Sequence, residues 1–321
     1  MKKKIQILCT LGPSTLNKKF LSFSNKNVSL LRLNMSHISL KILPKYIKFI
    51  RKFSKVPICI DTEGAQIRTK VKRSKNFKLG EIISLNSLKG NFTLYPSSVY
   101  NKLKLNDILD IGFNDLKVKI IKKTKKNIKL KTTSSGLLET NKGVHITNRK
   151  IKLNYLTELD IKAIEVSKKM GIKNFALSFT NSKKDIKRFQ KILPNTNNIF
   201  KIETKQAIKN LNVLIKNGDN FLIDRGDLSK EISIENIPFI QRKILKLSKK
   251  YKNKKIFIAT NFLESMIVNK YPTRGEANDI FNSLECGANG LVLAAETAIG
   301  KYPDIAVLFL KKMIKTYEKF K

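Results

Sequence analysis

The feature that most constrains the fold is a series of eight short, β-branched, buried-looking runs. They are IQILCTL at 5–11, VSLLRLN at 28–34, VPICID at 56–61, NFALSF at 174–179, NIFKIE at 198–203, NFLIDRGD at 220–227, KIFIAT at 255–260 and GLVLAAET at 290–297. Lys-rich amphipathic stretches such as 204–216 and 237–252 separate most of them. Parallel strands need long crossover connections, which helices supply, so the pattern predicts an α/β chain and fits a (β/α)8 TIM barrel better than an open sheet. The exception is the interval 70–147, where alternating strand patterns (FKLGEIISLN, LKLNDILDIGF, DLKVKIIK, NIKLKTT) replace helix signals. It predicts a small all-β domain inserted after strand 3, with 1–69 and 148–321 as the two parts of the barrel.

Composition narrows the function classes. With 41% apolar and 28% charged residues over 321 positions, the chain can bury a full core and is far from a disordered composition. No stretch approaches the roughly 18 apolar residues of a membrane span, and Gln6, Gly12 and Pro13 interrupt the apolar start, so neither a span nor a signal peptide is expected. Three scattered cysteines, Cys9, Cys59 and Cys286, suit neither a disulfide framework nor a zinc site and point to a reducing, cytoplasmic setting. The formal charge of +41 would ordinarily suggest a polyanion partner, but only 9 of the 65 basic residues are Arg. Bidentate phosphate and base recognition favours Arg, so dispersed Lys reads as solvated surface and argues against nucleic acid.

Polar residues sit where a barrel enzyme places them. Arg32, Asn34 and Ser36 follow one another at strand period, Asp61 and Thr62 end the third run, and Lys201 and Glu203 are two apart at the end of the fifth. Asp227 follows the sixth run in a tight Arg225-Gly226-Asp227 turn, Thr260 closes the seventh, and Glu296 the eighth. Buried strand ends are a costly place for charge, so their concentration at the C-terminal mouth predicts a site. Glu203 and Asp227 beside Lys201, Arg32 and Arg68 suit a divalent cation with an anionic substrate, the needs of phosphoryl transfer. Neither His37 nor His145 has a serine or cysteine arrangement around it; His37 fits loop packing and ligand contact equally, and His145 reads as structural. There is no GxGxxG, P-loop or HExxH motif.

The runs CTLGPST (9–15), LRLNMSH (31–37), DTEGAQIRT (61–69), FKIET (200–204), DRGDLS (224–229), FIATNFLESM (257–266), YPTRGEAND (271–279) and LVLAAETAIGKYP (291–303) resemble the pyruvate kinase family in order and spacing. The resemblance implies a barrel with a mobile β-domain lid. It also implies transfer of a phosphoryl group from phosphoenolpyruvate to ADP, giving pyruvate and ATP, with Mg²⁺ (or Mn²⁺) and K⁺ as cofactors. Lys201 would be the electrostatic catalyst, Glu203 and Asp227 the Mg²⁺ ligands, and Arg32 and Arg68 the phosphate clamp. The substrate carboxylate would rest on the amides of Gly226 and Asp227 and on Thr260, the group nearest the enolate face that is protonated. Asn34, Ser36, Asp61 and Thr62 match the monovalent-cation site, and His37 and Lys142 match nucleotide contacts. The family's usual C-terminal domain, with its regulatory sugar-phosphate site, has no counterpart in the run of motifs, and a homo-oligomer through barrel helices is expected.

The chain departs from the family pattern near the site. Glu63, Ala65 and Gln66 replace Lys, Pro and Glu; Asp224 replaces Ala and Ser229 a Gly; Asn261 and Phe262 replace Gln and Met; Ala294 and Ala295 replace Ser and Gly; Ile38 replaces a Gly and Ile111 an Asp. The charge changes leave the mouth more negative and predict an altered K⁺ requirement. Two other readings are open on the sequence: a paralogue with altered substrate or lost activity, and, on charge alone, a basic nucleic-acid-binding protein.

Overall fold

A computed structural model describes residues 4–112, 116–149 and 151–320. Within it the chain forms two compact units, one built from residues up to Gly64 and from Glu158 onward, the other from Ala65–Thr157.

The larger unit is a closed barrel. Its strands are β1 (Gln6–Thr10), β2 (Leu30–Asn34) and β3 (Ile58–Asp61) and, after nine strands of the smaller unit, β13 (Asn174–Leu177), β14 (Asn197–Ile202), β15 (Asn220–Asp224), β16 (Lys255–Ala259) and β17 (Gly290–Leu293). They run in the order β1-β17-β16-β15-β14-β13-β3-β2, every pairing parallel. Helices connect them because the intervening sequence offers both caps and apolar stripes. Ser182 and Thr273 form capping boxes with Asp185 and Glu276 at the starts of Lys183–Ile192 and Arg274–Glu285, satisfying amide groups that have no partner within the helix. Helix Leu43–Phe53 turns Leu43, Ile47 and Ile50 inward at helical spacing.

Strand parity sorts the barrel into two cores. Ile7, Leu31, Ile60, Phe175, Phe200, Ile223, Ile258 and Leu291 are buried on the side that faces the helices. A separate cluster drawn from all eight strands fills the interior: Leu8, Leu30, Cys59, Ala176, Ile199, Leu222, Phe257, Ala259 and Val292. Two residues further along the same parity come Thr10, Arg32, Asp61, Ser178, Lys201 and Asp224. The apolar interior is thus capped by a polar layer at the C-terminal end.

Three local expectations need correction. The 220–227 run is strand only to Asp224, and Arg225–Leu228 is one helical turn rather than a tight turn. The 290–297 run stops at Leu293, so Glu296 lies on helix Ala295–Ala298 and not at a strand end. The stretch 204–216 is two helices, Lys205–Lys209 and Leu211–Asn217, broken at Asn210. In each case the backbone changes direction within the run, which periodicity does not report.

The smaller unit holds β4 (Ile67–Val71), β5 (Lys75–Phe77), β6 (Ile82–Asn86), β7 (Phe92–Tyr95), β8 (Ile108–Ile111), β9 (Leu116–Lys123), β10 (Asn127–Thr132), β11 (Gly136–Leu138) and β12 (Gly143–Ile146). Seven form one sheet in the order β6-β10-β9-β8-β12-β4-β7, and β11 pairs with β5. Its core is apolar, with Leu116, Val118, Ile120, Ile128 and Leu130 alternating inward from β9 and β10. Because β4 pairs with β7 and β12, the segment from Ala65 belongs here, ahead of the expected start at 70. Ile111, in place of a family Asp, is 1% exposed within this core. Of the expected strand patterns, Phe113 and Asp115 lie outside the described residues.

Candidate active site

Lys201, near the end of β14, is the centre of the polar layer. Its ammonium lies 2.7 Å from Glu203 Oε1, 3.3 Å from Asp224 Oδ2 and 3.4 Å from Asp61 Oδ2, and donates to Ser178 Oγ at 3.2 Å. The side chain is 5% exposed. Burial by itself would pull its proton off, but Asp61, Glu203 and Asp224 reverse that and hold the ammonium above its ordinary range. Arg32 from β2 is fixed in the same layer. Nε donates to Asp61 Oδ2 at 2.7 Å, Nη1 donates to Thr10 Oγ1 at 2.8 Å, and Nη2 also pairs with Asp61. Burial opposes its charge, and Asp61 and Asp224 restore it.

Asp61 is therefore shared by two cations, as the register allows: β3 lies between β2 and β13, with Asp61 opposite Asn34 on one side and Ala176 on the other. Of the residues expected at a monovalent-cation site, Asn34 Oδ1 accepts from the Ser36 amide at 3.0 Å, and Thr62 Oγ1 from the Ser178 amide at 3.0 Å. The structure brings Asn34 and Ser36 to the end of β2 and Asp61 and Thr62 to the end of β3.

Glu203, Asp224 and Asp227 each offer a carboxylate oxygen, all within 4.8 Å of one another. Glu203 Oε2 accepts from the Phe179 amide at 2.6 Å, and Oε1 lies 2.7 Å from the Lys201 ammonium. Burial pushes the Glu203 carboxyl up, Lys201 opposes that rise, and Asp227 and Asp224 add to it. Asp227 is also paired with Lys230, one turn on, at 2.7 Å. Three carboxylates converging on one point, two of them buried, form an all-oxygen donor set that suits a hard divalent cation such as Mg²⁺.

Thr260 closes the mouth from β16. It has φ +74° and Asn261 φ +59°, left-handed backbone that costs a β-branched residue energy. Arg225 holds the strained turn. Its Nε donates to the Thr260 carbonyl at 3.1 Å, Nη1 pairs with Asp279 Oδ2 at 2.7 Å, and the guanidinium lies 4.3 Å from the Phe262 ring centre. The Gly226 amide donates to Thr260 Oγ1 at 2.9 Å, so two groups expected on the substrate carboxylate engage each other. Glu296 braces the rim instead. Its carboxylate accepts from the amides of Leu263 and Ala294 at 3.2 and 2.7 Å, tying together the loops after β16 and β17.

His37 is exposed after β2, where its amide donates to the Asn34 carbonyl at 3.1 Å. In the smaller unit, Arg68 lies on β4 and donates to the Asn141 carbonyl at 3.4 Å, and Lys142 pairs with Glu139 at 2.8 Å. His145 is exposed on β12. Sequence reasoning missed Ser178, Arg225 and Asp160. Asp160 accepts from the amides of buried Glu63 and of Gly64 at 2.7 and 3.0 Å, shaping the turn after β3. Gly64 is required there, at φ +75° with the place of a Cβ 2.7 Å from Ser178 Cβ. A hydroxyl one residue past β13 was the available signal for Ser178; nothing local marks Asp160, which is 96 residues from its contact.

Fold and site together define a (β/α)8 barrel enzyme whose mouth suits a divalent cation and an anionic substrate. A family model described as the barrel domain of pyruvate kinase matches residues 2–307. The chain is 33% identical over 334 residues to the pyruvate kinase of Methanocaldococcus jannaschii, covering 100% of this chain and 72% of that protein. For the pyruvate kinase of Thermotoga maritima the identity is 34% over 339 residues, 99% of this chain and 72% of the other. For that of a Staphylococcus aureus strain it is 30% over 335 residues, 98% and 57%. The chain belongs to the pyruvate kinase family.

Proposed function

We propose that this chain is a phosphotransferase that moves the phosphoryl group of phosphoenolpyruvate to ADP, yielding pyruvate and ATP. The observation that carries this reading is the buried Lys201 ammonium, kept charged by three carboxylates at the barrel mouth, in a chain that aligns over its whole length with pyruvate kinases. Such a group is preorganised to meet charge that develops on a transferring phosphoryl group, and it needs no rearrangement to do so.

In the reaction the bond from phosphorus to the enol oxygen breaks and one to a terminal oxygen of ADP forms. The enolate left behind takes a proton on its terminal carbon. Lys201 lies against the moving phosphoryl group, and Arg32, locked by Asp61 and Thr10, offers a fixed cation beside it. The family resemblance assigns Arg68 to phosphate, and His37 and Lys142 to the nucleotide. Thr260, held in its strained turn by Arg225, places its hydroxyl beside the Gly226 amide; substrate carboxylate would replace that mutual bond and also meet the Asp227 amide. Glu203 and Asp227 would hold Mg²⁺ or Mn²⁺, which would supply positive charge to offset that of the anionic substrate. Asn34, Ser36, Asp61 and Thr62 are assigned to K⁺.

The same reading treats the inserted β unit as the family's lid domain and includes a homo-oligomer through the barrel helices and a cytoplasmic setting. Among the described residues all three cysteines are free thiols, and no helix is long and apolar enough to cross a membrane. A lactate-dehydrogenase-coupled assay with phosphoenolpyruvate, ADP, Mg²⁺ and K⁺ tests the proposal. Pyruvate and ATP should appear in equal amounts; absence of pyruvate with folded protein would overturn it.

A further inference from the structure

Asp224 is the one new carboxylate in the mouth that the barrel interior itself presents. It ends β15 two residues after the interior Leu222 and is 7% exposed. Its Oδ2 faces Lys201 at 3.3 Å. Its Oδ1 faces the other way: a Cβ built on Gly226 would lie 3.6 Å from that oxygen and 3.6 Å from Thr260 Oγ1. The carboxylate therefore spans the space between the lysine and the Gly226–Thr260 corner, where the family pattern has a side chain with no charge.

A carboxylate in that place repels an anionic substrate unless something neutralises it. Asp61, Glu203, Asp224 and Asp227 are set against the buried cations Arg32 and Lys201, and Lys230 reaches Asp227 from the surface. Lys201 already has a closer partner in Glu203, at 2.7 Å. The four carboxylates face three cations, and a cation from solution would offset the remaining negative charge. Ligand oxygens around octahedral Mg²⁺ at ~2.1 Å are about 3–4 Å apart, and the oxygens of Glu203, Asp224 and Asp227, all within 4.8 Å of one another, are close to that spacing.

We propose that Asp224 is a third carboxylate ligand of the divalent cation held by Glu203 and Asp227, so that this chain binds the cation tightly before its anionic substrate arrives. The proposal rests on the assignment of Glu203 and Asp227 as metal ligands. Ligand charge count is a main determinant of affinity for hard cations, and the third carboxylate turns a site completed by substrate into one that charges with metal alone.

The test is Mn²⁺ binding to the whole chain without substrate, at constant ionic strength, followed by the electron paramagnetic resonance of free Mn²⁺. The wild type should show a tight site that Glu203→Gln abolishes. Asp224→Ala and Asp224→Asn should each raise its dissociation constant on the order of tenfold; the isosteric Asn variant keeps the measurement readable if the Ala variant does not fold. Dissociation constants within twofold of wild type, or a wild type without a Glu203-dependent site, would overturn the proposal. The coupled assay separates this outcome from the function: turnover with unchanged Mn²⁺ binding in Asp224→Asn sinks only the inference, and Asp224-dependent binding without turnover sinks only the phosphotransferase reading.

Discussion

The two units bury their side chains by opposite rules. In the Ala65–Thr157 unit the interior is a continuous apolar cluster, from Ile67 and Ile83 through Leu130 to Val144, and most of its lysines stay in solvent. In the barrel the lower interior is equally apolar, but the layer above it buries Arg32, Asp61, Lys201, Glu203 and Asp224 together. Taking charges out of water costs several kcal/mol per ion even in a relaxed protein, and well-packed apolar residues usually do as well or better for stability. The difference teaches that the barrel's polar layer serves chemistry, while the smaller unit's core serves folding. A buried charge confined to folding does occur in the smaller unit, where Asp107 pairs with Arg149 at 2.6 Å, so the rule rests on clustering rather than on any single ion pair.

The strongest challenge to that contrast is Lys201→Met. It should lower turnover by about 10²–10³-fold, the loss found for one preorganised electrostatic group, in a protein that still folds, as read by circular dichroism. Retention of more than about a tenth of wild-type kcat in a coupled assay would put the lysine among structural ion pairs.

Leu130→Ala is the opposite case. Removing a fully buried side chain from β10 should cost ~2–5 kcal/mol in the stability of the smaller unit, read by denaturant unfolding and by proteolysis within 65–157. A cost under ~1 kcal/mol would mean that this core is loosely packed.

A smaller effect belongs to a cap outside both cores. Glu276 accepts from the Ser265 amide at 2.7 Å and the Thr273 amide at 2.7 Å, and hydrogen bonds from Ser265 and Thr273 outweigh burial and lower its proton affinity. A carboxylate lowered on folding adds stability above its unfolded value of about 4.3 and loses it as pH falls through the folded value. Glu276→Ala should therefore cost ~1 kcal/mol near neutrality, with the gap from wild type closing in acid. Thermal melts at pH 7 and below pH 4 check this; a gap independent of pH would mean that packing, not the cap, is lost.

The smallest expected change is in monovalent-cation response. Glu63→Lys with Gln66→Glu should move the K⁺ requirement towards that of the family, measured as K⁺ titrations at constant ionic strength, where general screening is held fixed. Superimposable curves would place both side chains outside the cation's field.

Much of the fold and part of the site are legible in the chain itself. Strand period alone places Arg32 with Asn34, and Lys201 with Glu203, on one face, because successive side chains of a strand alternate sides. Apolar β-branched runs between helices announce the barrel, and alternation announces the inserted β unit, since each periodicity is a local property of the backbone. Asp224 could be seen as unusual but not as a partner of Lys201, and Arg225 and Asp160 carried no visible role. Those depend on closure of the barrel. Lys201 meets Asp61 140 residues away, and Asp160 reaches Gly64 across 96. It likewise took the tertiary structure to end β15 at Asp224, one residue before the helical turn that swings Asp227 back towards Glu203. The sequence by itself determined which residues alternate inward and how many strands the barrel has, because those follow from backbone geometry within a few residues. The tertiary structure alone decided which inward-facing charges share a site, because that is set by which strands become neighbours when the ring closes.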